Sequence, residues 1–510
     1  MDKKRLTINM ASTLVSFLVN IGISFFLTPY ILNTVGKEAY GFVGLANDFV
    51  SYAQLVVIAL NSMASRFITI RLHKKDIEGA NNYFTSTFIA DLFLSTIMII
   101  PCIIVIAFIN IFINVPNTIL LDVRLLWSFI FLNFIISIIT AVFGIAPFAR
   151  NRLEISSKIS IITNILRFIM IFLLFYLFKP SVWYIGFVSF ICAIFSTIYD
   201  VHYSKKLLPE IKINKKYFNI KYVKELISVG IWNTIGSLNS ILMTGIDLLI
   251  SNIFMDATAM GILAIVKVVP NFLNNLVLSI VSAFVPQLTI DYAKNNKSEL
   301  FKNIESSIVI ISFFTSLPIG IFLSSSDIFY KLWVGNQYDI NYIQLLVVLS
   351  AGGMIITSSI SIFNNVLTAA NKVKFNSIMA IISGIINVIL VFILLKTTKL
   401  GLIVIAGTST IIVFIRNFTI TPIYTSKVLK LKWNAFYPVI FRNILFVVIS
   451  ILVSILLKNF ININNWFAYG VYFVLCCIIC LILFVTILLK NKEKKLILNI
   501  IKKVIKNERQ

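Results

Sequence analysis

Long apolar runs recur from one end of the chain to the other, and they limit its fold more than any other feature. Runs of about 18 or more apolar residues are long enough to cross the hydrocarbon core of a bilayer as a helix. Hydrophobic residues make up 59% of the 510, and only 13% are charged. A water-soluble fold has no way to cover so many uniformly apolar helices, so the sequence predicts an all-α membrane protein.

Hydropathy and turn residues together predict about fourteen transmembrane helices. The predicted spans are 7–32, 41–62, 82–109, 123–147, 159–178, 183–203, 227–254, 258–286, 306–325, 340–369, 376–395, 400–425, 438–457 and 466–489.

The 44 Lys and Arg residues gather in alternate connections between these spans, which indicates the cytoplasmic side. With the N-terminus inside, the outer connections hold only Lys37, Arg124, Lys179, Lys331, Lys396, Lys399 and Lys458. An even number of spans then places both termini in the cytoplasm. The net charge of +24 is therefore a topology signal, and we expect no nucleic acid as a partner, because no stacking aromatics interleave with the basic clusters.

The most basic connection, 204–226, separates six predicted spans from the next six. We therefore predict an N-terminal six-helix lobe over 1–203 and a second lobe over 227–425. Two further helices follow in 426–489. The tail at 490–510 alternates basic and apolar residues, which predicts an amphipathic helix lying on the inner leaflet.

The two lobes have matching patterns of helices and loops. A shift of about 220 residues superposes Ala39 on Ala259 and Gly41 on Gly261. Because both lobes would begin inside, they would be parallel repeats about an axis normal to the membrane, with a cavity between them.

No motif for covalent chemistry is visible. The sequence has no Walker loop, no HExxH and no paired Cys/His pattern, and its five cysteines all fall inside apolar spans. Such cysteines are usually small apolar side chains rather than disulfides or metal ligands. We expect a transporter rather than an enzyme, with no cofactor and no metal site.

Charged side chains inside apolar spans are costly to keep in hydrocarbon, so they are the candidate functional residues. These are Asp48, Asp91, Arg167, Asp247, Lys267 and Arg416. Asp247 and Lys267 lie at similar distances from the hairpin between their spans, and the repeat places Asp48 at the same level. One interpretation is a charged cavity wall that meets an anionic or polar substrate. The alternative is interhelical ion pairs and snorkelling side chains.

Arg66 and Arg71 follow the second span at the predicted inner face. They are placed to meet a phosphate head group, although the topology rule alone also accounts for them.

Several motifs resemble a known family when taken in order. They are Thr28-Pro-Tyr-Ile with Val35-Gly-Lys-Glu-Ala-Tyr-Gly, Ala283-Phe-Val-Pro-Gln-Leu-Thr, Leu332-Trp-Val-Gly-Asn-Gln-Tyr, and the run from Leu367-Thr-Ala-Ala-Asn-Lys through Asn387 to Leu400-Gly-Leu and Ala406-Gly-Thr-Ser-Thr. Their order and spacing resemble the polysaccharide-transport branch of the multidrug/oligosaccharidyl-lipid/polysaccharide exporter superfamily, over essentially the whole chain.

The resemblance implies two six-helix lobes in a V plus two C-terminal helices. It also implies a flippase of the bacterial plasma membrane, which moves sugar repeat units on a polyprenyl diphosphate carrier to the outer leaflet by alternating access. The product would be capsule, exopolysaccharide, O-antigen or teichoic acid. Membrane lipids, a polysaccharide polymerase and glycosyltransferases would be its partners.

In such proteins helices 1, 2, 7 and 8 line a hydrophilic cavity, where Asp48, Asp247 and Lys267 fall. The polar residues placed to contact sugar hydroxyls are Tyr52, Gln54, Asn61, Asn233, Asn239 and Ser240. Asn and Ser also serve as ordinary contacts between membrane helices.

Two other functions stay open at this point. A cation-coupled multidrug exporter of the same superfamily would use Asp48 and Asp247 to hold its cation. A membrane-embedded polysaccharide polymerase would carry a large outer loop with Arg and His, and the predicted outer connections are short.

Overall fold

The computed structural model describes residues 3–282, 284, 288, 291–292, 297–335, 338–370, 372–489 and 494. Within these ranges the chain forms helices and turns, without a strand. The predicted amphipathic tail at 490–510 lies outside the described residues, apart from Lys494.

Over the described part of the chain, fourteen helices are long and apolar enough to cross a membrane. In chain order, α1 to α14, they are Ala11–Val35, Lys37–His73, Ile77–Ala107, Asn117–Thr140, Leu153–Leu177, Trp183–Leu207, Ile220–Phe254, Ala257–Ser282, Ser298–Val334, Ile340–Ala369, Val373–Thr397, Leu402–Val428, Tyr437–Phe460 and Trp466–Leu488. The predicted all-α fold with fourteen spans is confirmed, and the protein is a multi-pass membrane protein.

Several helices extend beyond the predicted spans, because backbone hydrogen bonding continues where the apolar run stops. Helix α2 continues to His73, so Arg66 and Arg71 lie on the helix rather than in a loop. Helix α9 continues past a polar Ser-Ser-Ser-Asp segment to Val334. Ser325 in that segment has φ −115° and ψ 15°, which are not helical values, so the helix is kinked there and then continues.

The fourth predicted span, 123–147, divides in the structure. Helix α4 ends at Thr140, a turn follows, and a separate short helix occupies Ile145–Ala149.

Residue packing divides the chain into two compact units, Met1–Ile265 and Val266–Gln510. The first unit thus contains α7 and the first part of α8, whereas the repeat in the sequence places the division at the basic linker.

In the first unit, α2 packs against α3 and α7, α4 against α6, and α1 against α5. One apolar cluster contains Leu60, Ala64, Tyr83 and Phe84. Exposed side chains of α3, such as Phe93 and Ile100, are apolar, as expected for a helix surface that faces lipid.

In the second unit, α9 is the central helix: 83% of its most apolar window is buried. It packs against α10, α13 and α14.

Asp327 on α9 forms an ion pair with Lys458 on α13 at 2.6 Å, so the charge of this carboxylate is neutralised within the second unit.

The basic linker between α6 and α7 is held against the inner end of α3. The Asn81 side chain accepts a hydrogen bond from the Lys212 amide at 2.6 Å, and Ser86 accepts one from the Asn219 amide at 3.0 Å. Tyr83 donates to Glu225 at the start of α7, at 2.7 Å. These contacts fix where α7 enters the membrane.

Candidate functional site

Asp48 and Asp247, two of the predicted cavity residues, meet around one tyrosine in the first unit. The Tyr52 hydroxyl on α2 donates to the Gly245 carbonyl on α7 at 2.7 Å and interacts electrostatically with both carboxylates. Asp48 precedes Tyr52 by one helical turn, so both side chains lie on one face of α2. Asp247 is 3% exposed.

A π-helical turn at Ile241–Gly245 interrupts α7 immediately before Asp247. Such turns loosen the regular hydrogen-bond pattern and often occur at functional sites. Here the turn presents the Gly245 carbonyl to Tyr52 and starts a new helical segment at Asp247. Asn239, another predicted residue, is half-buried on α7, two residues before this turn begins.

A polar cavity lies inside the first unit, among α1, α4, α5 and α6. It has two connected parts of about 290 and 420 Å³, which share Gly144, Thr163, Arg167, Ser196 and Asp200 in their walls. Both parts are within or near the size range of small-molecule sites, roughly 300–1,000 Å³.

The cavity exists because polar residues recur at helical spacing on otherwise apolar helices. These residues are Asn133, Ser137 and Thr140 on α4, Ser156, Ser160, Thr163, Asn164 and Arg167 on α5, and Ser189, Cys192, Ser196, Thr197 and Asp200 on α6. Residues three or four apart share a helix face, so each helix contributes one polar stripe. Asn20 on α1 also lines the cavity.

Arg167 and Asp200 give the cavity one charge of each sign. Both side chains are half-buried. Arg167 interacts with the Cys192 thiol, and its Nε is buried without a hydrogen-bond partner among the described residues. An unused guanidinium donor in a polar cavity can bind a carboxylate, a phosphate or a hydroxyl oxygen.

Asp91 and Asn61, both singled out in the sequence, form a direct pair. The Asn61 side-chain amide donates to Asp91 at 2.9 Å, joining α2 and α3. Arg66, by contrast, is exposed near the inner end of α2 and lies in neither the cavity nor the Tyr52 cluster.

Lys267 and Arg416 belong to the second unit. Lys267 is half-buried on α8, next to Val266, whose carbonyl accepts a hydrogen bond from Tyr330 at 3.1 Å. Arg416 on α12 donates to Asn417 at 3.3 Å, and Asn417 donates in turn to Thr357 on α10 at 3.1 Å.

Sequence reasoning missed Asp200. Asp200 lies close to the predicted end of its span, where a charged residue is expected to lie at the membrane interface. In the structure α6 continues to Leu207, so Asp200 lies within the helix and lines the cavity. The stripe formed by Ser189, Ser196 and Asp200 was the available signal.

The sequence matches one family model and one curated protein. A family model described as "Polysaccharide biosynthesis protein" matches residues 6–290. Membrane protein EpsK of Bacillus subtilis (strain 168) is 28% identical over 462 residues, which is 91% of each chain.

The fold is similar to solved transporters. An inward-facing multidrug resistance transporter of the MATE family, in the MOP superfamily, superposes with a TM-score of 0.68 at 14% identity, covering 84% of this chain and 99% of its own. The lipid II flippase MurJ, in an inward closed conformation, superposes with a TM-score of 0.58 at 16% identity, covering 94% and 98%. At these identities the likeness concerns the fold alone.

Proposed function

Because the chain belongs to the polysaccharide biosynthesis protein family, we propose that it is a transporter that flips polyprenyl-diphosphate-linked oligosaccharide repeat units. The movement would run from the inner to the outer leaflet of the bacterial plasma membrane, by alternating access. The observation that carries the proposal is the polar cavity around Arg167 and Asp200. It lies among helices whose exposed side chains, such as Ile169 and Ile198, are apolar.

The chemistry of the cavity suits sugars. Most of its wall consists of hydroxyl and amide groups, which both donate and accept hydrogen bonds, as sugar hydroxyls require. Desolvating a sugar without such partners would cost several kcal/mol, roughly 2–7 for each unpaired polar group. A polar wall therefore lowers the barrier to moving a saccharide through hydrocarbon.

The charges set limits on the anionic part of the substrate. Arg167 can form a bidentate pair with a phosphate or a sugar carboxylate. Asp200 in the same cavity offsets this charge, so the proposed occupant is the saccharide with at most one anionic group. The prenyl tail would stay in lipid, against apolar helix surfaces.

The extent of the fold also favours a lipid flippase. The MurJ superposition includes 94% of this chain, whereas the MATE transporter superposition includes 84%. We further propose that the protein has no catalytic activity and draws its energy from gradients or from consumption of the flipped product.

The test begins with depletion of the protein in its own cell. We expect polyprenyl-diphosphate-linked oligosaccharide to accumulate while surface polysaccharide falls. Wild-type protein should restore both, Arg167→Ala should not, and Arg167→Lys should restore them partly. Lys179→Ala is the matched control, because Lys179 is basic but exposed in an outer connection away from the cavity.

Multidrug export is the second candidate, supported by the MATE-like fold and by the two carboxylates near Tyr52. It predicts that depletion leaves the lipid-linked pool unchanged and raises sensitivity to cationic drugs. That outcome would reject the flippase.

A further inference from the structure

Asp91 lies in the middle of α3 and is completely buried. Its Oδ1 accepts one hydrogen bond, from the Asn61 side-chain amide at 2.9 Å. Its Oδ2 is buried without a hydrogen-bond partner among the described residues. The carboxyl group thus has one neutral donor where a carboxylate normally has several.

The surroundings of this pair are largely apolar, although Thr87 and Ser95, one turn before and one turn after Asp91 on α3, are buried hydroxyl residues. Leu60 and Ala64, on either side of Asn61 in α2, belong to one apolar cluster, against which Phe88 and Leu94 of α3 also pack. A second cluster one turn further along α2 contains Val57 with Phe134 and Ile138 of α4. Among the described residues these apolar clusters dominate, so a negative charge is poorly solvated here.

Charged and titratable groups on the elements that pack against α3 lie at other levels. On α2, Asp48 is about 20 Å from Asn61 along the helix, and Arg66, about 7.5 Å away, is exposed. On α4, Arg124 donates to the Ala107 carbonyl at the outer end of α3, about 24 Å from Asp91 along that helix.

Tyr52, about 13.5 Å from Asn61 along α2, contacts the Gly245 turn of α7 that precedes Asp247. Further groups lie at the inner end, about 12 Å or more away along α3. Tyr83 of α3 donates to Glu225 of α7 there, and Arg71 of α2 lies over the Tyr83 ring. The others at this end are Lys221, Tyr222 and Lys224 of α7, Lys215, Lys216 and Tyr217 of the linker turn, and His73 and Glu78. Within the described chain, Asn61 is the only side chain that interacts with the Asp91 carboxyl group.

An ionised carboxylate is strongly disfavoured at such a position, because hydrocarbon does not solvate it and one amide cannot replace its hydration shell. The neutral acid is tolerated there. We propose that Asp91 binds a proton in this conformation and is the site at which proton movement is coupled to transport. The proposal rests on the transport function proposed above and names the coupling ion.

The step is a simple proton exchange. When the site is hydrated, the Asp91 carboxylate takes a proton from a hydronium ion and leaves water. The neutral acid is then buried against Asn61, and the proton returns to water as hydronium when the site opens again. No other bond changes. Binding and conformation are then linked reciprocally, so that a pH gradient biases the transport cycle.

Helix α2 connects this site to the rest of the first unit. The outer end of α2 contacts α8 at Gly41, and Tyr52 in its middle donates a hydrogen bond to the π-turn of α7. Further along the same helix, Asn61 donates a hydrogen bond to Asp91. A movement of α2 that opens the α7 contact would therefore also displace the single hydrogen-bond donor of Asp91.

A proton suits the site better than a divalent metal ion. Metal cations need several oxygen ligands, and the described residues hold no group of three His, Cys, Asp or Glu side chains. Asn61 presents its amide hydrogens, not its oxygen, to the carboxyl group.

The test uses the full-length protein in liposomes and infrared difference spectroscopy with ¹³C-labelled aspartate. We expect a C=O band of a protonated carboxylic acid that Asp91→Asn removes, Asp91→Glu retains in shifted form, and Asn61→Leu moves to higher frequency. Asp327→Asn is the matched control and should leave the band intact, because Lys458 pairs with Asp327. A spectrum that Asp91→Asn does not change would overturn the proposal.

A second arm measures flipping of lipid-linked oligosaccharide in the same liposomes. An imposed pH gradient should change the wild-type rate by about fivefold or more, and Asp91→Asn should not respond. Flipping that responds to a sodium gradient and ignores pH would reject proton coupling while leaving the flippase intact. No flipping, with the Asp91 band present, would reject the flippase and leave the proton site.

Discussion

Gly41 and Gly261 approach each other so closely that a Cβ atom on Gly41 would lie 3.0 Å from the Cα atom of Gly261. Beside them, Thr258 donates a hydrogen bond to Glu38 at 2.7 Å, across a separation of 220 residues. Gly41 and Gly261 have the same separation, so residues matched by the sequence repeat lie face to face.

We expect Gly261→Ala to destabilise the protein, because its Cβ would lie 2.3 Å from the Lys37 carbonyl oxygen. Relief requires α2 and α8 to separate, which should lower the free energy of unfolding by about 1–3 kcal/mol. Thermal unfolding in detergent measures the effect. Gly236→Ala is the control. No described atom beyond its chain neighbours and its own helix backbone lies within 4 Å of its Cβ position, so the stability of this variant should be equal or higher.

Tyr52→Phe should loosen the contact between α2 and the π-turn of α7. The variant loses the hydrogen bond to the Gly245 carbonyl and leaves a buried acceptor, a cost of about 1–3 kcal/mol. We expect a lower melting temperature together with slower flipping. Tyr176→Phe, at a position where the side chain is 77% exposed, should change neither. Equal behaviour of the two variants would mean that the Tyr52 contact has no role.

The polar cavity should admit water-soluble reagents. In a variant without the five native cysteines, Ser196→Cys should react readily with a charged thiol reagent, because Ser196 lines both parts of the cavity. Ile198→Cys on the same helix should react slowly, because Ile198 is 65% exposed on an apolar surface that faces lipid. Mass spectrometry of the intact protein measures both rates. Similar rates at the two positions would show that the cavity is closed to water.

Asp76 should stabilise the start of α3 in a pH-dependent way. The Gly79 amide at 2.8 Å, and with it the Arg71 guanidinium at 2.9 Å, holds the pKa of Asp76 below its usual 3.8. For a carboxyl group with a lowered pKa, the stabilisation is complete above the unfolded-state pKa and is lost as pH falls through the folded-state pKa.

Asp76→Ala should therefore lower the stability at pH 7 by about 0.5–2 kcal/mol, the usual range for a helix N-cap. The difference from wild type should be constant above about pH 5 and shrink below pH 3.8. Asp76→Asn keeps a side-chain acceptor for Gly79 and should lose less. A difference that persists unchanged to pH 3 would contradict this account of the charge.

The sequence determined the helices and their order. Apolar runs flanked by basic residues define a span without reference to its neighbours, since each membrane helix satisfies its own backbone hydrogen bonds. For the same reason the depth of a residue such as Asp91 or Arg167 could be predicted from its distance to the helix ends. The family could also be identified, because its motifs keep their order along the chain.

Tertiary structure decided which of these residues meet. Hydropathy gives the depth of a residue but neither the rotation of its helix nor the identity of the neighbouring helix. Asn61 and Asp91 were therefore separate candidates in the sequence and are one hydrogen-bonded pair in the fold. Asp200 and Arg167 line the same cavity because α6 is longer than its apolar run, which the sequence does not show. The π-turn before Asp247 had no sequence signal at all, because it forms where α7 adjusts to the helix packed against it, and packing is a property of neighbours rather than of a segment.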